Sequence, residues 1–301
     1  MELGMIGLGR MGANMTRRLT AAGHRIVVYD RDKAAISAMV GEGATGADSL
    51  EAVASNLRAP RAIWIMVPSG DPVDETIAAL ERSLQPGDVL IDGGNSNYRD
   101  SMRRAESVRQ QGFEFLDVGT SGGVWGLKEG YSLMIGGHAA AVERLRPIFE
   151  ALAPETNRGW AHMGPSGAGH FAKMVHNGIE YGMMQSFAEG FALLEKKKEF
   201  DFDLAKVAET WRHGSVVRSW LLDLTAEALR ENPTLQGIGP QVADSGEGRW
   251  MVAEAITSDV PCPVITLSLL ERIRSRVSDS FGNKMLAIMR NKFGGHAIQK
   301  P

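Results

Sequence analysis

At 301 residues the chain is long enough for about two ordinary domains and needs no covalent staple to bury a core. Hydrophobic residues make up 44% and charged residues 23%, which excludes a disordered or collagen-like chain. With 33 Lys plus Arg against 36 Asp plus Glu the formal charge is −3, which excludes a global basic field for nucleic acid or an anionic membrane. One cysteine, Cys262, makes neither an internal disulfide nor a thiolate metal cluster, and it reads as a packing residue between two prolines. The opening residues Met1 to Ile6 lack a basic stretch ahead of a long apolar run, and no membrane-length apolar segment follows. The expected location is the cytoplasm. The one compositional excess is glycine, 35 residues, so where the glycines sit matters.

The first half alternates short apolar runs with amphipathic ones. Leu3 to Ile6, Arg25 to Tyr29, Ala62 to Val67, Val89 to Asp92 and Phe113 to Val118 read as strands separated by helical patterns, which predicts a parallel sheet covered on both faces. Several of these strands end in Gly7, Asp30, Pro68, Gly93-Gly94 or Gly119, and ligands of open α/β sheets bind outside such carboxyl ends. A further strand at Tyr131 to Ile135 and a helix at Ala139 to Leu152 close the first half. From Gly164 onward helical patterns dominate: Gly169 to Lys198, Leu204 to Trp211, Val216 to Glu231, Trp250 to Ser258 and Ile265 to Asn291. The expected domains are therefore 1–163 and 164–301, the second all-α.

Gly7-Leu8-Gly9-Arg10-Met11-Gly12 follows the first strand and opens an amphipathic helix that carries Met11, Met15 and Leu19. In that setting the spacing is the fingerprint of a dinucleotide-binding Rossmann-type fold. Gly7 permits the turn, Gly9 lets backbone approach a pyrophosphate, and Gly12 lets helix pack on sheet, with helix amides aimed at the anion. Asp30 ends the second strand 18 residues after Gly12, where its carboxylate accepts ribose hydroxyls and repels a 2′-phosphate. NAD is therefore the expected cofactor. Arg31 and Lys33 follow at once, and they leave NADP as an alternative. The fold class is thus a doubly wound, mostly parallel α/β sheet with a helical C-terminal domain built around one long central helix.

That helix is the most informative stretch. At 100° per residue Lys173, His176, Asn177, Glu180 and Tyr181 fall within an arc of roughly 140°. Val175, Ile179 and Met183 point elsewhere, with Met184 and Phe187 further on, so the helix is expected to be buried with its polar arc facing a cleft. Desolvation disfavours the charged forms of Lys173 and Glu180. A neutral Lys173 can then take a hydroxyl proton, and a protonated Glu180 can give one back.

Gly169 to Tyr181, together with Asp92-Gly93-Gly94-Asn95-Ser96-Asn97-Tyr98-Arg99-Asp100 and Ser121-Gly122-Gly123, resembles the decarboxylating 6-phosphogluconate dehydrogenases, within the β-hydroxyacid dehydrogenase group. The resemblance implies that Lys173 is general base and then acid at the 3-hydroxyl, and that Glu180 protonates C1 of the enediol. It implies that Asn95, Ser121, Gly122, Gly123, His176, Asn177 and Tyr181 contact sugar, carboxylate, phosphate or nicotinamide, with Val67 on the cofactor side. Protonated Lys173 would stabilise the developing enolate in place of a divalent metal, and no tight cluster with metal-ligand spacing is seen. Arg290-Asn291-Lys292-Phe293-Gly294-Gly295-His296 resembles the family segment whose arginine binds substrate phosphate and whose histidine comes from the neighbouring subunit.

Two departures stand out. The resemblance implies that Ser245 and Glu247 occupy positions where longer members carry a lysine and a threonine on the phosphate, so that contact is expected to be redistributed, with Arg249, Arg274 and Arg276 as candidates. The chain is also short for the family, lacking a second helical half, which predicts a homodimer or dimer-based oligomer whose Arg290 and His296 reach the partner's Lys173. The small-molecule partner is then a phosphorylated sugar acid, with no nucleic acid or membrane involved. The competing readings are a β-hydroxyacid dehydrogenase of the 3-hydroxyisobutyrate type, without decarboxylation, and a non-catalytic dinucleotide sensor. Neither gives Glu180, Tyr181 and Arg290 a task.

Overall fold

A computed structural model describes residues 1–299 of the chain; Lys300 and Pro301, the last two residues of the predicted helical domain, lie outside the described residues. Two compact units are present, Met1–Asn177 and Gly178–Pro301.

The first unit holds an eight-stranded sheet. Its strands are β1 (Glu2–Ile6), β2 (Arg25–Tyr29), β3 (Thr45–Gly46), β4 (Ala62–Ile65), β5 (Val89–Asp92), β6 (Glu114–Ser121), β7 (Ser132–Gly137) and β8 (Trp160–Gly164), in spatial order β3-β2-β1-β4-β5-β6-β7-β8. β1 to β6 pair in parallel, β7 is antiparallel to β6, and β8 is parallel to β7. The order reverses between β1 and β4, which opens a crevice at their carboxyl ends.

Helices α1 (Arg10–Ala21), α2 (Lys33–Gly41), α3 (Leu50–Ser55), α4 (Asp71–Glu81), α5 (Tyr98–Gln110), α6 (Gly126–Glu129), α7 (Ala139–Arg144) and α8 (Arg146–Leu152) accompany the sheet. Alternation along the strands sorts the side chains into two cores. Leu3, Met5, Trp64, Val89 and Ile91 pack with Met15, Leu19 and Phe149, while Ile6, Ile63, Ile65 and Leu90 pack with Val53, Ile77 and Val108. Two-sided burial explains why the central strands are apolar without a polar alternate.

The long helix α9 (Ala168–Lys196) starts in the first unit and runs into the second. There follow α10 (Leu204–Arg212), α11 (Trp220–Glu231), α12 (Glu247–Thr257), α13 (Pro263–Arg274) and α14 (Phe281–Gly294). Phe191, Ala208, Leu222, Ala226 and Leu229 form a small core of their own.

Four expectations need correction. The helix expected over 265–291 is two, broken at 275–280, where Ser280 accepts from the Asn283 amide and starts α14 afresh. The helix expected over 139–152 is likewise two, divided at Leu145 with Pro147 in the first turn of α8. Two strands, β3 and β8, lie where the sequence carries no strand pattern. Finally, the central helix is not enclosed by its own chain: Ile179 is 51% exposed and Met183 38%. Among the described residues no helix is long and apolar enough to cross a membrane.

Candidate active site

The glycine loop sits at the sheet's switch point. Gly7 has φ +93°, and a Cβ there would stand 2.6 Å from the Met66 carbonyl, so only glycine lets β1 turn away beside the end of β4. A Cβ on Gly12 would overlap the Gly7 carbonyl, which closes α1 onto the turn. Gly9 opens on empty space and precedes α1 with no side chain capping the helix. An uncapped helix N-terminus beside an open glycine fits a pyrophosphate, whose oxygens would take the first-turn amides of Arg10 and Met11. Leu8 is buried beneath the loop. Asp30 closes the site from β2: its Oδ2 accepts from the Leu8 amide at 2.6 Å and its Oδ1 from the Asp32 amide at 2.8 Å. Arg31 is exposed, 3.8 Å from Glu75.

Further along the same carboxyl edge, Val67 follows β4 and Asn95 follows β5. A Cβ on Gly94 would lie 3.2 Å from the Val67 carbonyl, so the two loops touch, and Asn95 beside them is exposed. β6 then delivers Ser121, Gly122 and Gly123. Gly122 has φ +131° and begins a 3₁₀ turn at Gly123–Trp125.

The start of α9 lies on β6. Asp117, fully buried in that strand, accepts from the Gly167 amide at 2.6 Å and the His170 amide at 2.8 Å, which caps the helix from outside its own sequence. His170, also buried, meets the Ser101 hydroxyl through Nδ1 at 2.7 Å. About one turn on, Lys173 is only 7% exposed and packs on Gly119 of β6. His176 Nε2 is 3.4 Å from the Ser121 hydroxyl, and its Nδ1 is 3.0 Å from Asn177 Oδ1. The expected residues of this unit thus fall along one edge, from Gly7 through Val67, Asn95 and Ser121 to Lys173. Neighbouring strands stand about 4.8 Å apart, so β1, β4, β5 and β6 span about 14 Å, within reach of one elongated ligand.

In the second unit Glu180 is half-buried and Tyr181 buried. Gly248 packs against the Tyr181 ring, and the Arg272 guanidinium lies 3.4 Å from that ring's centroid while donating to the Ala243 carbonyl. The Tyr181 hydroxyl and Glu247 Oε1 are buried with no hydrogen-bond partner, although Glu247 Oε2 accepts from Ser245. The arginines expected to take over phosphate binding are engaged with carboxylates: Arg249 and Arg276 with Asp244, at 2.8 and 2.9 Å, and Arg274 with Glu271 at 3.4 Å. Arg290 is exposed on α14, and His296 is exposed just past Gly295, which ends that helix in a left-handed turn.

Sequence reading missed Asp117, Arg104 and Arg272. Asp117 carries a signal, a carboxylate inside the buried run Phe115 to Val118, where an unpaired charge is too costly to leave. Arg104 and Arg272 sit among other charged residues on helices and carry none. Among the described residues no group of three or more His, Cys, Asp or Glu side chains is placed to hold a metal ion.

Comparison with known proteins agrees in both units. Residues 2–176 match the NAD binding domain of 6-phosphogluconate dehydrogenase, and residues 169–298 match the 6-phosphogluconate dehydrogenase C-terminal domain. The chain is 44% identical over 301 residues to the NAD(+)-dependent, decarboxylating 6-phosphogluconate dehydrogenase of Haloferax volcanii, covering 100% of this chain and 99% of that one. It is 37% identical over 291 residues to a Bacillus subtilis enzyme of the same description, covering 92% of this chain but 62% of that one. The Plasmodium falciparum 6-phosphogluconate dehydrogenase structure, studied with its cofactor NADP+ and its substrate 6-phosphogluconate, matches with a TM-score of 0.85 at 29% identity, over 100% of this chain and 66% of that one.

Proposed function

The chain belongs to the 6-phosphogluconate dehydrogenase family, and from that premise we propose that it oxidises and decarboxylates 6-phosphogluconate to ribulose 5-phosphate and carbon dioxide, with NAD as acceptor and NADP as an alternative. The observation that carries the reading is the buried amine of Lys173, seated on Gly119 where β6 ends in Ser121-Gly122-Gly123. The glycine loop and Asp30 would hold NAD, which supplies the hydride acceptor for C3. Lys173 takes the proton of the 3-hydroxyl as C3 is oxidised. The new ketone lies β to the C1 carboxylate, so as C1 leaves as carbon dioxide the electrons of the breaking C1–C2 bond flow onto the ketone oxygen. Lys173, now charged, stabilises the resulting enolate in a site shielded from water. Glu180 then protonates the former C2, which becomes C1 of ribulose 5-phosphate. Asn95, Ser121, His176 and Asn177 are the hydroxyl- and carboxylate-orienting groups. Tyr181 and Arg272 are assigned to the phosphate: a buried phenol without a partner and a guanidinium over its ring suit an anion with several acceptor oxygens.

The active form we propose is a cytoplasmic homodimer with a shared site. Phe281 is 75% exposed and Leu286 57%, with Met285 and Met289 also open, an apolar surface large for an isolated helix in water. Arg290 and His296 at the end of that helix would serve the partner's Lys173. Mixing a Lys173 variant with an Arg290 variant should restore activity through hybrid dimers. No recovery under demonstrated subunit exchange would return the tail to its own subunit.

The deciding assay follows reduced cofactor by absorbance, together with carbon dioxide release, from purified protein with 6-phosphogluconate and NAD or NADP. Cofactor reduction without carbon dioxide would overturn decarboxylation, and no reduction would overturn the dehydrogenase.

A further inference from the structure

Arg104 lies on α5, 2% exposed, and is given no chemical role above. Its guanidinium is fully engaged. Nε and Nη2 donate to the two oxygens of Asp74 at 2.9 and 3.1 Å, and Nη2 also to the Gly70 carbonyl at 3.0 Å. Nη1 donates to Asp92 Oδ2 at 3.2 Å and reaches the Ser96 hydroxyl at 3.3 Å. Gly70 ends the connection from β4 and Asp74 lies in the first turn of α4, whereas Asp92 ends β5 and Ser96 lies in the connection from β5 into α5. One planar cation therefore ties together two loops at the cofactor edge.

Asp92 extends the tie. Fully buried, it accepts from the Gly94 amide through Oδ1 at 3.1 Å and from the Ser96 hydroxyl through Oδ2 at 2.7 Å. The residues on both sides of Asn95 are thus bound to the carboxylate that Arg104 holds, while Asn95 itself stays exposed. We propose that Arg104 is a positioning residue for the reaction, fixing the Asn95 turn against the Val67–Gly70 loop through Asp92 and Asp74. The inference rests on the reading of Asn95 as a contact to cofactor and substrate. Its physical basis is geometric: the guanidinium fork spans two carboxylates, one in the first turn of α4 and one at the end of β5, and a lysine ammonium, a point donor, does not. A turn loosened by a fraction of an ångström loses much of the rate gained from orientation.

The test is a double-mutant cycle between Arg104→Lys and Asn95→Ala, read in the NADH dissociation constant by fluorescence and in kcat with 6-phosphogluconate. Circular dichroism establishes that each protein is folded at the assay temperature. Arg104→Lys alone should lower kcat about 10- to 100-fold with a much smaller change in the KM for substrate. In the Asn95→Ala background the same change should cost under threefold, because the group it positions is gone. Additive effects in both readouts would overturn the proposal, as would a lysine variant with wild-type kcat. Should Arg104→Lys fail to fold, Asp74→Asn, at the outer end of the tie, replaces it in the same cycle with the same two outcomes. The NADH arm needs no sugar acid, so a wild-type protein inactive on 6-phosphogluconate would sink the substrate assignment while the coupling between residues 104 and 95 is still read.

Discussion

Gly119 and Lys173 are in direct contact, strand against helix, with no room between them for a single methyl group. A Cβ added at position 119 would overlap Lys173 Cβ and stand 3.0 Å from its Cγ and 2.9 Å from the Gly169 carbonyl. Because the obstructing atoms are backbone and the first carbons of a side chain, relief requires the helix to move. Gly119→Ala should therefore destabilise the protein by about 1–3 kcal/mol, the usual cost of overpacking, and lower kcat at least tenfold by displacing the amine. Thermal melting and steady-state kinetics check both. Full activity in the alanine variant would separate the position of Lys173 from β6.

Lys173→Met removes the amine and keeps the stem that packs on β6. Turnover should be abolished while NADH affinity stays within about threefold of wild type, since the residue is assigned to the hydroxyl proton and not to the dinucleotide. Substantial remaining activity would take Lys173 out of the base role.

Asp117 should matter as much to stability as to catalysis. It replaces a helix cap that the sequence around Ser166-Gly167-Ala168 does not supply, and it does so from a fully buried strand position. Asp117→Asn keeps the shape but turns one acceptor into a donor facing an amide. The expected loss is about 1–3 kcal/mol of unfolding free energy together with a fall in kcat, whereas Glu180→Gln, outside the cap, should lower kcat without that loss of stability. Urea titrations of the two variants compare them directly.

The nucleotide-binding half was legible because backbone geometry demanded glycine there. Gly7 and Gly12 are fixed by contacts to Met66 and to Gly7 itself, and such positions show in the sequence as spacing. The central strands were legible because burial on both faces makes them apolar throughout. β8 was not: Trp160-Ala161-His162-Met163-Gly164 is a largely exposed edge strand with no alternation to read. The interruption at 275–280 was hidden for a different reason. Leu267, Leu270, Val277 and Phe281 are all substantially exposed, so the apolar period runs through the break without reporting the packing of this chain. In the candidate site, the residues proposed to carry chemistry stand out by type and spacing, whereas Arg104 and Arg272 meet partners distant in sequence, and helical charges give no sign of such partners.

Asp30 carries two duties that one substitution can separate. Its carboxylate braces the glycine loop through the Leu8 amide, and the proposed function gives it the ribose hydroxyls of NAD as well. Asp30→Ala removes both and should weaken NAD and NADP together. Asp30→Asn retains an acceptor for Leu8 and loses the charge, so the KM for NAD should rise about tenfold while that for NADP falls or stays level. Equal effects of asparagine on the two cofactors would count against the ribose contact.

The Asp74–Arg104 tie also leaves a signature in acid. Hydrogen bonding to Arg104 first, and then to Arg103, outweighs the opposing effect of burial and lowers the Asp74 carboxyl from 3.8 to about 2. With the folded value below the unfolded one, the stabilisation is fully present above about pH 4 and is lost as pH falls toward 2. Asp74 is 35% exposed, so after solvent screening its worth is on the order of 1 kcal/mol. Urea unfolding of wild type and Asp74→Asn at pH 6 should therefore show a gap that narrows progressively at pH 3.5 and pH 2.5. A gap independent of pH would mean that the charge on Asp74 contributes nothing to holding the two loops together.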